Sequence, residues 1–277
     1  MAQTNTSSVK TSGKELYGYQ KDALQEIFRR FEDAPKDYHL LYQLPTGGGK
    51  TVIFSEIVRR YLETFKKKVL VLTHRIELSK QTSKMLSEFG VTNKIINSTA
   101  NLDDQDEYSC FVAMVETLKN RLNDDKLDIS DIGLVIVDEA HYNSFTKIFK
   151  FFDESFILGV TATPLSSNIK LPMYENYQEL FVGESIQHLI DNEYLSSANL
   201  YSYNVGLTSL EVGANGDYTV KSSEDLYTNS DMLSKLVSAY EETAKGKKTL
   251  IFKISSRSLL VFVLSRCAIG YPAFLNA

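Results

Sequence analysis

The chain has 277 residues, of which 43% are hydrophobic and 23% charged, and its formal net charge is −5. That length allows one large domain, or one domain plus part of another, and no apolar run approaches the length of a membrane span. The acidic balance argues against indiscriminate binding of phosphate backbones over the whole surface, and Cys110, Cys267, His39, His74, His141 and His188 lack disulfide or zinc-ligand spacing.

Met1 to Ser8 has neither the basic nor the apolar region of a signal peptide, which predicts a cytoplasmic protein, and residues 1–14 are polar, small and expected to be disordered. Ala23, Leu24, Ile27, Phe28 and Phe31 recur at helical spacing. His39 to Leu44 reads as a short buried strand. The loop Pro45-Thr46-Gly47-Gly48-Gly49-Lys50-Thr51 follows it, and Val52, Ile53, Phe54, Ile57, Val58, Tyr61 and Leu62 then form one face of a helix. Lys66-Lys67-Lys68 reads as a solvated helix end. Further strands are predicted at Val69 to Leu72, Lys94 to Asn97, Phe111 to Val115, Leu134 to Val137 and Phe156 to Val160.

Strands separated by helix-length segments predict an α/β fold with a mainly parallel sheet and helices on both faces. Such sheets bind ligands beyond the carboxyl ends of their strands, where the glycine loop, Asp138-Glu139 and Thr161 all fall. Residues 15–198 are expected to form this domain. Residues 199–277 read as a β-rich, tyrosine-bearing linker from Asn199 to Val220 with a turn at Asn215-Gly216, then a helix from Asp231 to Ala244. A strand at Lys247 to Ile254 and a helix at Ser256 to Cys267 would open a second, incomplete α/β domain.

The chemistry is written in two segments nearly ninety positions apart. Backbone amides freed of side chains at Gly47, Gly48 and Gly49, with Thr46 beside them, suit a triphosphate; Lys50 reaches its outer phosphates and the Thr51 hydroxyl meets Mg²⁺. A glycine-rich stretch is also compatible with a flexible turn, but a strand before it and a helix after it make the helix N-terminus an anion site. Leu44 stands where the common signature has glycine. The second segment, Leu134-Val135-Ile136-Val137-Asp138-Glu139-Ala140-His141, ends an apolar strand with two carboxylates. Asp138 can hold the metal and Glu139 can orient a water toward the γ-phosphate, so ATP and Mg²⁺ are the expected ligands and ATP hydrolysis the expected reaction.

With these motifs in place, the order of segments resembles the superfamily 2 helicases and translocases with a DEAD/DEAH box, and most of all restriction-enzyme motor subunits and RadD-like repair helicases. Leu16-Tyr17-Gly18-Tyr19-Gln20 is similar to the family's adenine-reading motif. The likeness implies that Gln20 bonds the adenine edge and that Tyr17, where arginine is common, stacks on the base. Val69 to Leu78 is similar to motif Ia, which implies phosphate contacts from Thr73 and Arg75; a strand with a helix cap is the plainer reading. Val115-Glu116-Thr117-Leu118 resembles the next such segment, with a phosphate-repelling Glu116 in place of glutamine. Val160-Thr161-Ala162-Thr163-Pro164 looks like motif III, whose hydroxyls at Thr161 and Thr163 would couple nucleotide to strand, with His141 in the same switch.

The resemblance covers Leu16 to Ser196 closely and continues loosely to Ile254. It implies a RecA-like P-loop domain, a nucleic-acid partner, DNA by analogy, restriction-modification or repair subunits as possible companions, and no membrane. The family's glutamine-glycine-arginine-arginine segment is absent from the sequence. That predicts either a fragment with low activity or a partner domain on another chain. An ATP-dependent nucleic-acid-binding scaffold without translocation is the alternative; a P-loop kinase fits poorly, because Glu139 supplies a water-orienting carboxylate rather than an acceptor pocket.

Overall fold

Strands that must bury both faces carry almost unbroken apolar sequence, and this property organises the chain. The computed structural model describes residues 15–249 except 36, 101–103, 124–130, 167, 169, 205 and 214–216. The tail 1–14, the turn at Asn215-Gly216, Cys267 and the segment Ser256 to Cys267 lie outside the described residues. The chain divides into two compact units, Met1–Ser197 and Ala198–Ala277.

The first unit holds β1 (His39–Gln43), β2 (Lys68–Thr73), β3 (Asn93–Ile96), β4 (Cys110–Met114), β5 (Ile132–Asp138), β6 (Phe156–Thr161) and β7 (Glu179–Val182). They form one seven-stranded sheet in the order β3-β4-β2-β5-β6-β1-β7. Every neighbouring pair is parallel. Its helices are α1 (Gly18–Asp33), α2 (Lys50–Phe65), α3 (Ile76–Glu88), α4 (Val115–Asn123), α5 (Thr146–Phe149) and α6 (Ile186–Asp191). The expected α/β layout is present, with helices on both faces.

Alternation along each strand divides the core. Val69, Val71, Cys110, Val112, Leu134 and Ile136 face a cluster that includes Leu24 and Ile27 of α1, Phe54 and Ile57 of α2, and Leu86 of α3. Leu70, Leu72, Phe111, Ala113, Val135 and Val137 face the opposite cluster, with Leu118 of α4 and Ile148 of α5. Each side chain buried in this way contributes roughly 1.5–3 kcal/mol. Lys66 caps α2 in the left-handed region at φ 56°, so the lysine run does close a helix, and its charge suits the negative end of the helix dipole.

Several elements differ from the sequence expectation. β7 was not anticipated: it is four residues long and lies at the sheet edge, where only alternate residues are partly covered. Arg30 of α1 holds it, through Nη2 and Nε to Glu179 at 2.6 and 2.8 Å, and Tyr38 donates its hydroxyl to the same carboxylate at 2.5 Å. In the second unit, the stretch from Asn199 to Val220 is not β-rich among the described residues. It holds an isolated antiparallel bridge, Val212 to Tyr218, and a 3₁₀ turn at Leu207–Ser209. Leu200, Tyr201, Tyr203 and Tyr218 are exposed; β-branched and aromatic residues favour strands only where a neighbour or a core covers them. The helix expected from Asp231 is α8 (Ser230–Thr243), preceded by an unanticipated α7 (Val220–Tyr227) whose cap is the Thr219 side chain. Of the strand expected at Lys247 to Ile254, residues 247–249 are non-regular and the rest lie outside the described residues.

Gly159 in β6 shows how tightly the second face is packed. A Cβ there would lie 2.6 Å from both Cε1 and the hydroxyl oxygen of buried Tyr177. Gly159→Ala is therefore expected to destabilise the fold by about 1–3 kcal/mol in urea unfolding, as overpacking at a rigid contact does.

Candidate active site

Parallel pairing brings the chemical segments together at one edge. Gln43 is level with Thr161 across β1 and β6, and Asp138 is level with Val160 across β5 and β6. The end of β1 and the end of β5 are thus separated by a single strand, about 10 Å at the usual strand spacing. Two backbone bonds lock the edge: Leu44 N donates to Thr161 O at 3.0 Å, and Ala140 N to Val160 O at 3.1 Å.

The loop after β1 turns through positive φ at Gly47 and Gly49, 85° and 83°, and delivers Lys50 and Thr51 into the first turn of α2. Only glycine adopts these angles freely. Leu44, the departure from the common signature, is fully buried, and its Cγ lies 2.9 Å from where a Cβ on Gly48 would stand. It supports the loop from beneath, which a glycine could not do. The Lys50 ammonium donates to Leu44 O at 3.4 Å.

Asp138 is 7% exposed, and burial pushes its carboxyl up to about 6; adjacent Glu139 pushes the same way, while the Lys50 charge and the Glu139 backbone N–H oppose. Glu139 takes φ 54°, an uncommon region for a residue with a side chain and one found at functional turns. His141 Nδ1 lies 3.0 Å from Thr161 Oγ1 and 3.4 Å from Glu139 Oε2. The Thr161 hydroxyl gives its proton to Thr163 O at 3.1 Å, so Nδ1 of His141 is the donor toward Thr161. Thr163 N also donates to Thr161 Oγ1, at 3.2 Å. The structure thus gathers Asp138, Glu139, His141, Thr161 and Thr163 at one place, with hydrogen bonds joining His141, Thr161 and Thr163 and a 3.4 Å contact linking His141 to Glu139.

Two expectations need correction. The Gln20 amide was expected to be available to an adenine edge, yet it is 3% exposed and both its ends are engaged. Oε1 accepts from Tyr17 N at 3.0 Å, and Nε2 donates to Gly48 O at 3.4 Å and to the Tyr19 hydroxyl at 3.3 Å. Buried polar groups must find partners, and here the partners are internal. The Thr73 hydroxyl was expected to touch phosphate, but Thr73 is fully buried and bonded to Ser79 Oγ at 2.6 Å and Arg75 O at 3.3 Å. It shapes the turn and presents nothing to solvent. Arg75 caps α3 and is exposed. Glu116 is exposed, 3.8 Å from Lys147.

Sequence reasoning missed three residues. Tyr19 donates its hydroxyl to Gly48 O at 2.7 Å, tying α1 to the loop. Tyr194 packs its ring 4.7 Å from Tyr17 and 5.0 Å from Tyr19. Leu195 Cδ2 stands 2.7 Å from where a Cβ on Gly47 would be. Tyr19 could have been suspected from its place beside Gln20; nothing in the spacing of residues 194 and 195 points back to residue 17 or 47. Exposed Tyr17 and these neighbours form an aromatic surface beside the loop.

The unfavourable burial of Asp138 has a measurable consequence. A carboxyl whose folded value is raised contributes its stability below the unfolded value near 4, and that contribution is lost as pH rises through about 6. Asp138→Asn should therefore stabilise the ligand-free protein by about 2–3 kcal/mol at pH 8, a gain that vanishes below about pH 4, in thermal or urea unfolding followed against pH.

The family described as type III restriction enzyme, res subunit, matches residues 13–166. The chain is 29% identical over 260 residues to the Saccharomyces cerevisiae protein named "Putative ATP-dependent helicase IRC3", covering 88% of this chain and 36% of the relative. It is 28% identical over 208 residues to "ATP-dependent DNA helicase MPH1" of Scheffersomyces stipitis, covering 69% of this chain and 18% of the relative. The chain spans well under half the length of either. It shares its fold with the Pyrococcus furiosus Hef helicase domain, at a TM-score of 0.52 and 20% identity, over 91% of this chain and 54% of that one. With a parallel RecA-like sheet, a glycine loop and an acidic pair on neighbouring strand ends, and a family match over more than half its length, the chain belongs to the res-subunit family of type III restriction enzymes, within the superfamily 2 helicases.

Proposed function

We propose that this chain is the ATP-binding and ATP-hydrolysing motor unit of a DNA helicase or translocase of the restriction-modification or repair type. The observation that supports this most is the convergence of Gly47 to Thr51 with Asp138-Glu139 at the ends of β1 and β5, with only β6 between them. Residues 15–198 contain every group in this reading, and residues 199–277 are its continuation toward a second domain. MPH1 is named a DNA helicase, which favours DNA over RNA as the partner.

Thr46, the Gly47 to Gly49 amides and the positive end of α2 hold the phosphates. Lys50 leaves the Leu44 carbonyl for the outer phosphates, an exchange of one acceptor for a better one. Glu139 orients a water in line with the γ-phosphorus; a bond forms from that water oxygen as the bond to the β–γ bridging oxygen breaks, leaving ADP and inorganic phosphate. Tyr17 stacks on the base, and Gln20 reads it only by giving up part of its present bonding to Tyr17 and Gly48. His141, Thr161 and Thr163 pass the state of the nucleotide toward the strand-facing edge.

Asp138 and the Thr51 hydroxyl suit Mg²⁺: among the described residues no cluster of three His, Cys, Asp or Glu could enclose a metal, and a cation retaining much of its water shell needs few protein donors. The raised carboxyl of Asp138 also marks a deficit of positive charge that a divalent ion would relieve. When bound, Mg²⁺ would neutralise phosphate charge and polarise the γ-phosphoryl group. A further cation at the γ-phosphate can matter by roughly three to five powers of ten, and the sequence lacks the glutamine-glycine-arginine-arginine segment that would bring one, so turnover by this chain alone is expected to be slow.

Lys50→Ala should weaken binding of a fluorescent ATP analogue by about tenfold or more, while Glu139→Gln should retain binding and lower hydrolysis by about a hundredfold or more. Binding indifferent to Lys50→Ala would overturn the reading. Arg75→Ala should weaken single-stranded DNA about evenly across sequences and reduce the salt dependence of binding by about one phosphate contact; unchanged binding would favour a nucleotide-dependent scaffold.

A further inference from the structure

The turn after β2 and the turn after β5 are joined by a stack of three rings, of which His74 and Tyr142 have no role in the reading above. His74 and Tyr142 lie with centroids 4.3 Å apart at 30°, and Tyr142 and His141 lie 4.3 Å apart at 36°. His74 is the neighbour of exposed Arg75, and His141 is the neighbour of Glu139 through its Nδ1 contact at 3.4 Å. The three rings therefore bridge the residue placed to meet a strand and the residue placed to orient water.

His74 has no other evident task. Its Nδ1 is buried and makes no hydrogen bond among the described residues. Burial and adjacent Arg75 hold the imidazole below its ordinary value, so it stacks as a neutral aromatic ring. Tyr142 is half-buried against the second core cluster, and its backbone N–H donates to Glu139 O at 3.1 Å. The Tyr142 backbone is thus tied to the turn on which Glu139 sits at positive φ, and its ring lies between the two histidines. A packed element in contact with both sites, beside a residue in a strained conformation, is a physical route for coupling.

We infer that Tyr142 is a positioning residue that makes nucleotide binding and strand binding sense each other, by stacking between His74 and His141. The inference rests on the motor reading above. A strand engaging Arg75 would press on the His74 ring, Tyr142 would carry that displacement to the Glu139-His141 turn, and by linkage a nucleotide would act in reverse. The stack requires an aromatic ring but not the hydroxyl, which separates the role from simple space filling.

The test is equilibrium linkage, which does not depend on turnover. Affinity for a non-hydrolysable ATP analogue is measured with and without saturating single-stranded oligonucleotide, for the wild-type chain, Tyr142→Phe and Tyr142→Leu. In the wild type the oligonucleotide should tighten the analogue by about fivefold or more, the lower end of common couplings. Tyr142→Phe should keep that ratio, while Tyr142→Leu should bring it near one with each separate affinity changed by less than about twofold. His74→Ala removes the same stack from its other end and should give the same loss, which preserves the test if Tyr142→Leu folds poorly. A full ratio in both Tyr142→Leu and His74→Ala, or a loss in Tyr142→Phe, overturns the inference and leaves the ATP-site reading standing. A wild-type chain that shows no linkage overturns the motor reading together with the inference.

Discussion

The site depends on one constraint: β5, β6 and β1 run parallel and in register. Because they start at one edge and end at the other, every turn that follows a strand lands on the same side, whatever its distance in sequence. Asp138 level with Val160, and Gln43 level with Thr161, place the acidic pair and the glycine loop one strand apart. A parallel sheet must be covered on both faces, and the two clusters built on alternate residues of β2, β4 and β5 supply that cover. Slipping β6 by one residue would exchange the residues it presents to the two clusters, Leu158 and Val160 on one side and Ile157 on the other.

That rigid support lets the edge hold arrangements that are unfavourable by themselves. Asp138 is buried beside another carboxylate, and Glu139 occupies a backbone region that resists side chains. Gly47 and Gly49 turn through positive φ, which only glycine does freely, and Lys50 rests on the Leu44 carbonyl. On the reading proposed above, a phosphate chain with its cation would supply the charge that Asp138 and Lys50 would meet, and the strain at Glu139 would be pre-organisation for that ligand.

Polar groups that are not short of partners are equally informative. Gln20, Tyr19 and Gly48 satisfy one another, as do Thr73, Ser79 and the Arg75 carbonyl. For Gln20 this means that, on the reading proposed above, recognising a base would cost an internal hydrogen bond and so depend on the conformation of the glycine loop. For Thr73 it means that the hydroxyl builds the turn while Arg75 is left to meet the outside. Resemblance to a family identifies positions; the hydrogen-bond partners say what each position is free to do.

Periodicity alone revealed the five interior strands, the edge strand β3 and the helices α1 and α2, because strands buried on both faces and helices with one apolar face leave runs that nothing else explains. The glycine loop and Asp138-Glu139 were legible for the same local reason: their chemistry needs particular residues at fixed spacing. The edge strand β7 and the irregular course from Asn199 were not, since a short half-covered strand and an exposed tyrosine-rich stretch look alike until a neighbour is present or missing. What the sequence by itself determined is therefore most of the first unit's strands, its first two helices, and the residues expected to handle a triphosphate. Tertiary structure alone decided that Leu44 supports the loop, that Tyr194 and Leu195 close over Tyr17 and Gly47, and that Tyr142 stands between two histidines. Those contacts join positions far apart in the chain, and no local preference encodes a neighbour that only folding brings near.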